Sequence, residues 1–325
     1  MKIIKPSAVV MKHDVTPYEF IEKVGRTCYK SEDRITKGSA EKFIENLVKR
    51  EHMAMLEHEH LFIELSPYYM EIFLNEMSMV NEPLKFFNIT HTDGVNIISG
   101  SFRSFYDLFD KFGLKPISVL KFIRNRLQEH YPIVFGNIVP LSKFIYDEDI
   151  TLLSRYEFTN KYKDSSNTLF KHLTHTVKFV CDRGVSHEFV RHRVASFAQE
   201  STRYCNYSKD KFGNEITVIK PCFWEEHSAE YGEWESICRQ AEKAYFNLTT
   251  LGNATAQEAR SVLPNSLKTE IIVTATEEEW QHIINLRYLG LTGAPHPQMK
   301  EIMALMIEDI INESKGRINI INRVV

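Results

Sequence analysis

The sequence lacks any apolar run long enough to cross a membrane. A membrane-spanning helix needs about 18 or more consecutive apolar residues, and no stretch of the chain approaches that length. Residues 1–15 include basic side chains but no apolar segment of the kind found in a signal peptide. We therefore expect a cytoplasmic protein.

Cysteine is scarce, and its positions form no motif. The five cysteines are spread along the chain without a CxxC pair, at Cys28, Cys181, Cys205, Cys222 and Cys238. An odd, scattered set of this kind predicts reduced thiols rather than a disulfide framework. A chain of this length also buries about three quarters of the surface that its unfolded form exposes, so its core needs neither disulfides nor a metal.

An excess of charge of one sign is missing as well. The chain has 40 lysine plus arginine residues against 43 aspartate plus glutamate residues, for a net charge of -3. Proteins that bind nucleic acids generally show a strong basic excess, which this chain does not have. Any anionic ligand must therefore be bound by a local group of cationic side chains.

What the sequence does have is the composition of a globular chain, with 43% hydrophobic and 26% charged residues. This composition excludes a disordered tail, a collagen and a coiled coil. Apolar residues at helical spacing predict helices over residues 40–50, 234–251, 276–287 and from 297 onwards. Alternating or β-rich stretches predict strands over residues 58–65, 173–182 and 268–275.

Local sequence patterns mark the ends of several of these helices. Ser39 is predicted to cap the first helix, and Gly252 has the position of a helix stop. Thr276 followed by Glu279 matches a capping box, and helix capping is the preferred interpretation of both residues. Pro116 is predicted to lie near another helix start.

The densest group of reactive and charged side chains lies in residues 191–204, RHRVASFAQESTRY. Arginine binds phosphate or carboxylate in a two-pronged, geometrically defined way, so several converging arginines suit a phosphorylated ligand. A solvated basic loop is the plain alternative, because charged residues mostly lie on surfaces. The interleaved apolar residues Val190, Val194 and Phe197 predict instead that the arginines alternate with packed side chains.

Within this stretch, Arg191-His192-Arg193 followed after seven residues by Ser201 resembles the signature of the flavin-dependent thymidylate synthases, the ThyX family. Several other segments resemble the same family. These are Arg26–Tyr29, Glu57-His58, Ala259–Pro264, Asn285–Arg287 and His296–Gln298 with Glu301-Ile302. The resemblance covers about the first 65 residues and residues 173–305, and it leaves the region between them unmatched.

The resemblance implies an α/β (α+β) fold in which an antiparallel sheet is flanked by helices. It also implies a homotetramer with active sites between subunits. The matched segments predict a single catalytic domain over residues 1–325, interrupted by residues 66–170. That region is rich in aromatic residues, lysine and asparagine and has helical spacing, which predicts a mostly helical insertion.

The resemblance further implies a reaction. The family transfers a methylene group from 5,10-methylenetetrahydrofolate to C5 of dUMP and reduces it with FADH2, which NADPH regenerates, to give dTMP. FAD, NADPH and the folate are thus the expected cofactors and co-substrate. No metal, nucleic acid or membrane is expected to take part.

By resemblance, two overlapping sets of residues bind the ligands. The residues implied to bind dUMP are Glu188, Arg191, Gln199, Glu200, Ser201, Thr202, Arg203, Arg260 and Arg287. The residues implied to bind FAD are His52, Arg191, His192, Arg193, Gln199, Thr276, Glu278 and His282. Arginines in both sets supply positive charge for two anionic ligands.

Arg287 is the residue implied to be catalytic. Arginine stays protonated at neutral pH and cannot act as the base, but it can stabilise a uracil deprotonated at N3 and thereby favour the nucleophilic form of the ring. The family is taken to need no cysteine nucleophile, which agrees with a signature that contains none. Cys205, just beyond the signature, is predicted to be a small buried apolar residue, and Ser201 is predicted to bind ligand rather than attack it.

Five positions depart from the family pattern. Glu188 and Gln199 stand where some members have Gln and Glu, respectively. Thr276, Glu278 and His282 stand where other members use Asn and Arg toward FAD. Loss of that arginine is expected to weaken binding of the anionic part of the flavin.

Three alternatives stay open on the sequence alone. The chain could alkylate another pyrimidine nucleotide, or it could bind nucleotide and flavin as a module without synthase activity. The third alternative is a metal-dependent hydrolase, although the sequence has no HExxH or Cys-His spacing. The histidines that could converge on a metal are His52, His58, His60, His172, His175, His187 and His192.

Overall fold

The computed structural model describes residues 1–78, 86–92, 94–111, 118–136, 147–209 and 212–320. In chain order its strands are β1 (Lys2–Ile4), β2 (Ser7–Met11), β3 (His60–Leu65), β4 (Phe87–Thr92), β5 (Val95–Ser101), β6 (Ile150–Leu153), β7 (Thr174–Asp182), β8 (Ser196–Gln199), β9 (Thr217–Ile219) and β10 (Lys268–Thr276). Its α-helices are α1 (Pro17–Tyr29), α2 (Ser39–Lys49), α3 (Pro67–Ser78), α4 (Phe102–Lys111), α5 (Val119–His130), α6 (Pro132–Phe135), α7 (Arg155–Lys161), α8 (Ser166–His172), α9 (Arg183–Phe189), α10 (Ala229–Phe246), α11 (Ala256–Ala259), α12 (Glu277–Ile284) and α13 (Pro297–Glu313). Short 3-10 or π segments occur at Glu32–Arg34, Met53–His58, Asn247–Leu251, Arg260–Val262 and Asn285–Leu289.

The chain divides into two compact units. The terminal unit contains Met1–Lys12, Val24–Arg34 and the chain from His175 onwards. The middle unit contains His13–Lys23 and Ile35–Thr174, and therefore includes the whole predicted insertion together with earlier segments. The single catalytic domain and the bounds of the insertion stay predictions.

A four-stranded sheet in the order β2-β7-β10-β8 organises the terminal unit. β2 pairs antiparallel with β7, and β8 pairs antiparallel with β10. Along β7, Val177, Phe179 and Cys181 are all buried, as their alternation in the sequence predicts. The strand ends at Asp182, whose carboxylate accepts a hydrogen bond from the backbone N–H of Val185 at 2.8 Å and so caps α9.

Helices α12 and α13 bury their apolar faces in the core that includes this sheet. Trp280 on α12 is fully buried, and its indole N–H donates to the backbone carbonyl of His175 at 2.9 Å. Met303 and Met306 on α13 belong to the same apolar cluster as Trp280. The helix predicted from Pro297 is confirmed, and the antiparallel sheet flanked by helices is confirmed with it.

A smaller core in the terminal unit includes one face of α10. Its buried members include Cys205, Tyr207, Val218, Cys238 and Tyr245. β1 and β9 contribute to this core as a two-stranded ladder that is parallel, which no sequence pattern predicts. The helix also extends further toward the amino terminus than predicted, and Gly252 is the C-cap of the π segment that follows it, so the helix stop predicted at Gly252 is confirmed.

A second four-stranded sheet, in the order β4-β5-β3-β6, organises the middle unit, and all of its pairs are antiparallel. The apolar core of this unit includes Ile63 on β3, Phe73 on α3, Phe102 on α4 and Ile123 on α5. Helices make up most of the regular structure between residues 66 and 170, as predicted, but β4, β5 and β6 also lie there. All three strands share a sheet with β3, which precedes the predicted insertion.

Predicted element starts were less accurate than the elements themselves. Ser39 begins α2, but the N-cap is Gly38 in a left-handed conformation with φ of 80°, so the predicted Ser39 cap is wrong. The Ser39 hydroxyl instead donates to the carboxylate of Glu22 at 2.7 Å. Pro116 lies outside the described residues, and Ser118 caps α5.

The cysteine thiols and the lengths of the helices bear on two expectations from the sequence. All five cysteines are free, and four of them are buried, which agrees with the reduced thiols expected. Among the described helices, none is both long and apolar enough to cross a membrane.

Candidate active site

Three signature residues, Arg191, His192 and Arg193, lie on the loop between α9 and β8, called the signature loop below, and Ser201 follows β8. Arg191 and Arg193 are exposed, whereas His192 between them is 6% exposed. Because α9 is capped at its start and β8 pairs with β10, both ends of the loop are attached to regular structure. The loop therefore presents two guanidinium groups to solvent and one imidazole to the interior of the terminal unit.

The apolar residues of this loop are less buried than the sequence predicts. Val190 is 43% exposed and Val194 is 69% exposed, so the prediction that they pack between the arginines is wrong. Phe197, one residue into β8, is half-buried and packs against the core of the sheet. The exposed valines leave apolar surface directly beside the two arginines.

All three guanidinium nitrogens of Arg287 donate hydrogen bonds, one to the signature loop and two to α9. It lies on the π segment that follows α12, where its Nε donates to Nε2 of His192 at 3.1 Å. Its Nη1 donates to Oε2 of Glu188 at 2.8 Å, and its Nη2 donates to the Glu188 backbone carbonyl at 3.2 Å. The structure thus brings the implied catalytic residue into contact with two other predicted site residues.

Glu188 also faces His296. Nδ1 of His296, the N-cap residue of α13, lies 3.9 Å from Oε1 of Glu188. The segment beginning at His296 resembles the ThyX family, but the sequence predicts no role for the histidine. Its position beside Glu188 makes it part of the surroundings of Arg287.

Helix α12 adds two side chains beside His192. Thr276 accepts a hydrogen bond from the backbone N–H of Glu279 at 3.2 Å, as a helix cap should. The Glu279 carboxylate, however, lies toward the signature loop, with Oε1 3.6 Å from Nδ1 of His192. The ring of His282 has its centroid 6.0 Å from that of His192. The interpretation of Glu279 as a capping residue alone is therefore wrong.

Glu277 fixes the start of α12 from inside the unit. It is fully buried, and Arg317 donates to both of its carboxylate oxygens at 2.7 Å. A ring nitrogen of His175 lies 2.8 Å from the same carboxylate. A two-pronged arginine contact of this kind holds a carboxylate in one orientation. Glu278 is exposed, next to these anchored neighbours.

Gln199 and Glu200 are both engaged by side chains of the terminal unit. Gln199 donates through Nε2 to the hydroxyls of Ser186 at 2.8 Å and Thr269 at 3.2 Å. Glu200 is 3% exposed, and its Oε2 accepts from the ammonium group of Lys268 at 2.8 Å. Neither pattern of contacts is evident from the sequence, where both residues are simply implied to bind ligand.

Lys268 belongs to a buried network of opposite charges. It also lies 2.6 Å from Glu270, which Lys178 contacts at 2.6 Å and which Lys30 contacts as well. Burial would lower the pKa of Lys268, but the charges of Glu200 and Glu270 raise it overall. Burial would likewise raise the pKa of Glu270, but Lys268 and Lys30 lower it to about 2. Lys268 and Glu270 are therefore both charged at neutral pH.

A cavity of about 500 Å³ opens beside this network. Four acidic and two basic side chains line it together with two aromatic rings and a hydroxyl group. Because acidic groups outnumber basic ones, the cavity by itself does not suit a phosphate group. The lining residues are Lys30, Glu32, Asp33, Glu200, Tyr207, Phe212, Glu215, Thr217 and Lys268.

The segment after β8 contacts the amino-terminal motif. The backbone N–H of Ser201 donates to the carbonyl of Cys28 at 3.4 Å. The rings of Tyr29 and Tyr204 meet edge to face with centroids 6.1 Å apart. Arg203 is exposed, with its guanidinium carbon 5.8 Å from the Tyr204 ring. Two segments that resemble the family are therefore neighbours in space.

Cys205 is buried, as the sequence predicts. Its side chain is 1% exposed, and burial raises the pKa of its thiol to about 12. A thiol in that state is a poor nucleophile at neutral pH. Thr202, three residues earlier, is also buried.

Arg260 and His52 both lie at the starts of 3-10 segments and have exposed side chains. Arg260 begins the 3-10 segment after α11 in the terminal unit. His52 precedes the segment Met53–His58 in the middle unit. The roles of both residues in ligand binding stay predictions.

Residues 152–313 match the family described as thymidylate synthase complementing protein, Thy1. Among similar proteins, a flavin-dependent thymidylate synthase of Pyrococcus furiosus is 28% identical over 144 residues, which are 44% of this chain and 57% of that protein. One of Geobacter sulfurreducens is 36% identical over 105 residues, covering 32% and 43% respectively. The chain thus spans about half the length of these relatives.

Two solved structures are also similar to the chain. The UMP/dUMP methylase PolB from Streptomyces cacaoi, bound with 5-Br dUMP, is 13% identical and is covered over 99% of its length and 98% of this chain, with a TM-score of 0.39. Thymidylate Synthase X from Helicobacter pylori, with FAD and dUMP, is 18% identical over 50% of this chain and 77% of its own, with a TM-score of 0.37. Scores at this level do not bear on the function of the chain.

Proposed function

Because residues 152–313 belong to the family of thymidylate synthase complementing proteins, we propose that this chain is a flavin-dependent thymidylate synthase. It transfers a methylene group from 5,10-methylenetetrahydrofolate to C5 of dUMP and yields dTMP. The observation that carries this proposal is the contact of Arg287 with His192 and Glu188, which joins the Asn-Leu-Arg motif to the signature loop.

In this proposal Arg287 stabilises the reactive form of the pyrimidine. A uracil ring that has lost its N3 proton carries a negative charge, as the Glu188 carboxylate does. The ring can therefore compete with Glu188 for the terminal nitrogens of Arg287, which now donate to that residue. A guanidinium group fixed at this place favours the ring that is nucleophilic at C5. This role requires no cysteine, which agrees with the buried thiol of Cys205.

The exposed arginines bind the phosphate of dUMP in the same proposal. Arg191, Arg203 and Arg260 are all exposed, and none of them forms an ion pair with a carboxylate among the described residues, so their charges are accessible to a ligand. Ser201 and Thr202 add hydroxyl groups near Arg203, while Gln199 and Glu200 complete the proposed set. A chain with a net charge of -3 needs such a local cluster to hold a nucleotide monophosphate.

The signature loop fits an anionic dinucleotide such as FAD. Arg191 and Arg193 present two cations on one exposed loop, which suits a diphosphate, and His192 stands between them. Thr276, Glu278, His282, Gln199 and His52 complete the proposed FAD set. The Glu278 carboxylate repels a diphosphate, so it can contact FAD only at hydroxyl or amide groups. When bound, the reduced flavin supplies the hydride for the methyl group, and NADPH reduces the flavin again.

We also propose a homotetramer with sites between subunits. The exposed valines beside Arg191 and Arg193, at 43% and 69% exposure, support this assembly because apolar surface next to a binding site is favourably covered by a second copy. The proposed substrates are small molecules, and neither nucleic acid nor a membrane takes part.

Product analysis tests the proposal. The purified protein is expected to show the absorbance of bound FAD and to convert dUMP to dTMP when 5,10-methylenetetrahydrofolate and NADPH are added. Chromatography of the nucleotides measures the conversion, and omission of the folate is the control. Bound FAD without dTMP would contradict the synthase and leave a nucleotide- and flavin-binding protein.

A parallel reaction with UMP separates the proposed enzyme from a relative with another pyrimidine substrate. Glu188 is the reason for testing UMP, because its carboxylate lies where the pyrimidine is proposed to bind. Methylation of UMP but not of dUMP would replace the proposed substrate while retaining the reaction type.

A further inference from the structure

The Glu279 side chain is oriented differently from those of comparable helix starts in this chain. At Ser154/Glu157 and Thr255/Glu258, the glutamate returns a hydrogen bond to the backbone of the capping residue. At Thr276 only the first half of that arrangement forms, and the Glu279 carboxylate lies beside Nδ1 of His192 instead. The helix start therefore does not account for the place of this carboxylate.

The contact between Arg287 and His192 identifies the tautomer of the imidazole in this structure. A guanidinium group has hydrogen-bond donors only, so Nε2 of His192, 3.1 Å from Nε of Arg287, must be the acceptor. An acceptor nitrogen carries no proton, which leaves the proton of the neutral ring on Nδ1. That N–H faces Oε1 of Glu279 at 3.6 Å. The carboxylate favours the same tautomer that Arg287 requires.

The same geometry weighs against a metal ion at this place. His192, Glu279 and His282 each offer one ligand atom, and these atoms lie within 4.8 Å of one another. A histidine that binds a metal through one nitrogen carries its proton on the other and donates it to a neighbour. Here Nε2 would have to be protonated while it faces a donor on Arg287. The set is therefore better suited to holding a proton on Nδ1 than to holding a metal.

We infer that Glu279 is a positioning residue that fixes the tautomer of His192 and, through His192, the orientation of Arg287. This inference rests on the proposed function for the role of Arg287. Once an anionic pyrimidine displaces Glu188 from the terminal nitrogens, the Nε contact to His192 is the contact that keeps the guanidinium in place. With its proton on Nε2, His192 would oppose Arg287 donor to donor and release it.

Other titratable groups also lie around His192 and Arg287. His282 lies beside His192 on α12, Glu188 contacts Arg287 from α9, and His296 faces Glu188 from α13. Of these groups, Glu279 is the carboxylate that faces Nδ1 of His192. Its removal should therefore change the tautomer while every side chain that contacts Arg287 directly stays unaltered.

Nitrogen NMR of protein labelled with ¹⁵N-histidine, with the His192 signals assigned through His192→Gln, reads the tautomer directly. In the unmodified protein, Nδ1 of His192 should carry the proton and Nε2 should not. Glu279→Ala should shift His192 toward the other tautomer and lower kcat for dTMP formation on the order of tenfold, the lower end of what loss of an orienting partner costs. Glu279→Gln keeps an oxygen acceptor and should remain within about threefold of the unmodified rate.

Glu157→Ala serves as the matched control, because it removes the glutamate of an intact capping box on α7. It should change neither the His192 signals nor kcat. An unchanged tautomer in Glu279→Ala, or a changed tautomer with an unchanged kcat, would overturn the inference. So would a stoichiometric shift of the His192 signals on addition of Zn²⁺ that Glu279→Ala abolishes. If the unmodified protein forms no dTMP, the proposed function fails, while the NMR signals still decide whether Glu279 fixes the tautomer.

Discussion

At the scale of single residues, the proposed role of Arg287 depends on its hydrogen-bond acceptors. Three contacts, two to Glu188 and one to His192, use its three nitrogens. A guanidinium group held this firmly needs little reorganisation when a charged ring replaces one acceptor. Glu188 is the acceptor that an anionic pyrimidine can replace, because it carries the same charge.

Glu188→Gln is therefore predicted to strengthen dUMP binding. The amide carries no charge to compete for Arg287, so the dissociation constant measured by calorimetry should fall by roughly three- to tenfold, with tenfold corresponding to about 1.4 kcal/mol. Glu235→Gln removes a charge from a surface pair with Arg239 on α10 and is the control. Weaker dUMP binding in Glu188→Gln would contradict competition and indicate that the carboxylate itself contacts the nucleotide.

The sequence predicts which residues belong to the site better than it predicts their contacts. Arg287, His192 and Glu188 were all identified from motifs, and they meet in the structure. The contact between Glu279 and His192 was missed, because Thr276 and Glu279 match a local capping pattern that explains both residues without any distant partner. Contacts across about 90 residues depend on how the sheet and helices pack, which spacing along the chain does not encode.

At the scale of elements, His172 joins α8 to two strands of the middle unit. Its ring nitrogens lie 2.8 Å from the hydroxyls of Thr90 on β4 and Ser99 on β5. The side chain is fully buried, and burial, with smaller contributions from Lys171 and His60, lowers its pKa from 6.5 to about 3. The unfolded chain therefore binds a proton on this residue at a pH where the folded protein does not.

His172→Gln is predicted to reduce the loss of stability at low pH. Because the folded pKa is depressed, stability should fall as pH decreases from about 6.5 toward 3, with a slope of about 1.4 kcal/mol per pH unit for each proton. The substitution should remove one proton's share of that slope in urea unfolding measured between pH 7.5 and 4.5. His60, with a pKa lowered to about 4, keeps its own share. An unchanged slope, equal to that of the surface control His130→Gln, would contradict the burial of a neutral His172.

Elements with a strong period were predicted well, and elements without one were missed. β7 alternates along its length and α13 has an apolar face, so both follow from the sequence. β5 is buried at nearly every position, which removes the period of two that identifies a strand. β1, β8 and β9 are only three or four residues long, too short for a pattern to stand out.

At the scale of the whole molecule, positive and negative charges nearly balance, and the exposed positive charge of the site is a local feature. Within a chain of net charge -3, the signature loop has two exposed guanidinium groups. Elsewhere in the same unit, lysines and glutamates of a buried network neutralise one another. The cavity beside that network is more acidic than basic. The composition predicts that an anion site must be local, but its position follows only from the fold.

Release of tritium from dUMP labelled at C5 tests the central claim most directly, because the label must leave when the methylene carbon replaces it at that atom. With 5,10-methylenetetrahydrofolate and NADPH, the unmodified protein should release tritium. Arg287→Ala should keep its FAD absorbance but lose roughly 100- to 1000-fold in rate, the cost of removing one donor that stabilises a developing charge. Arg239→Ala, on the surface of α10, should match the unmodified protein. Equal rates in Arg287→Ala and the unmodified protein, or no release by a protein that binds FAD, would contradict the account.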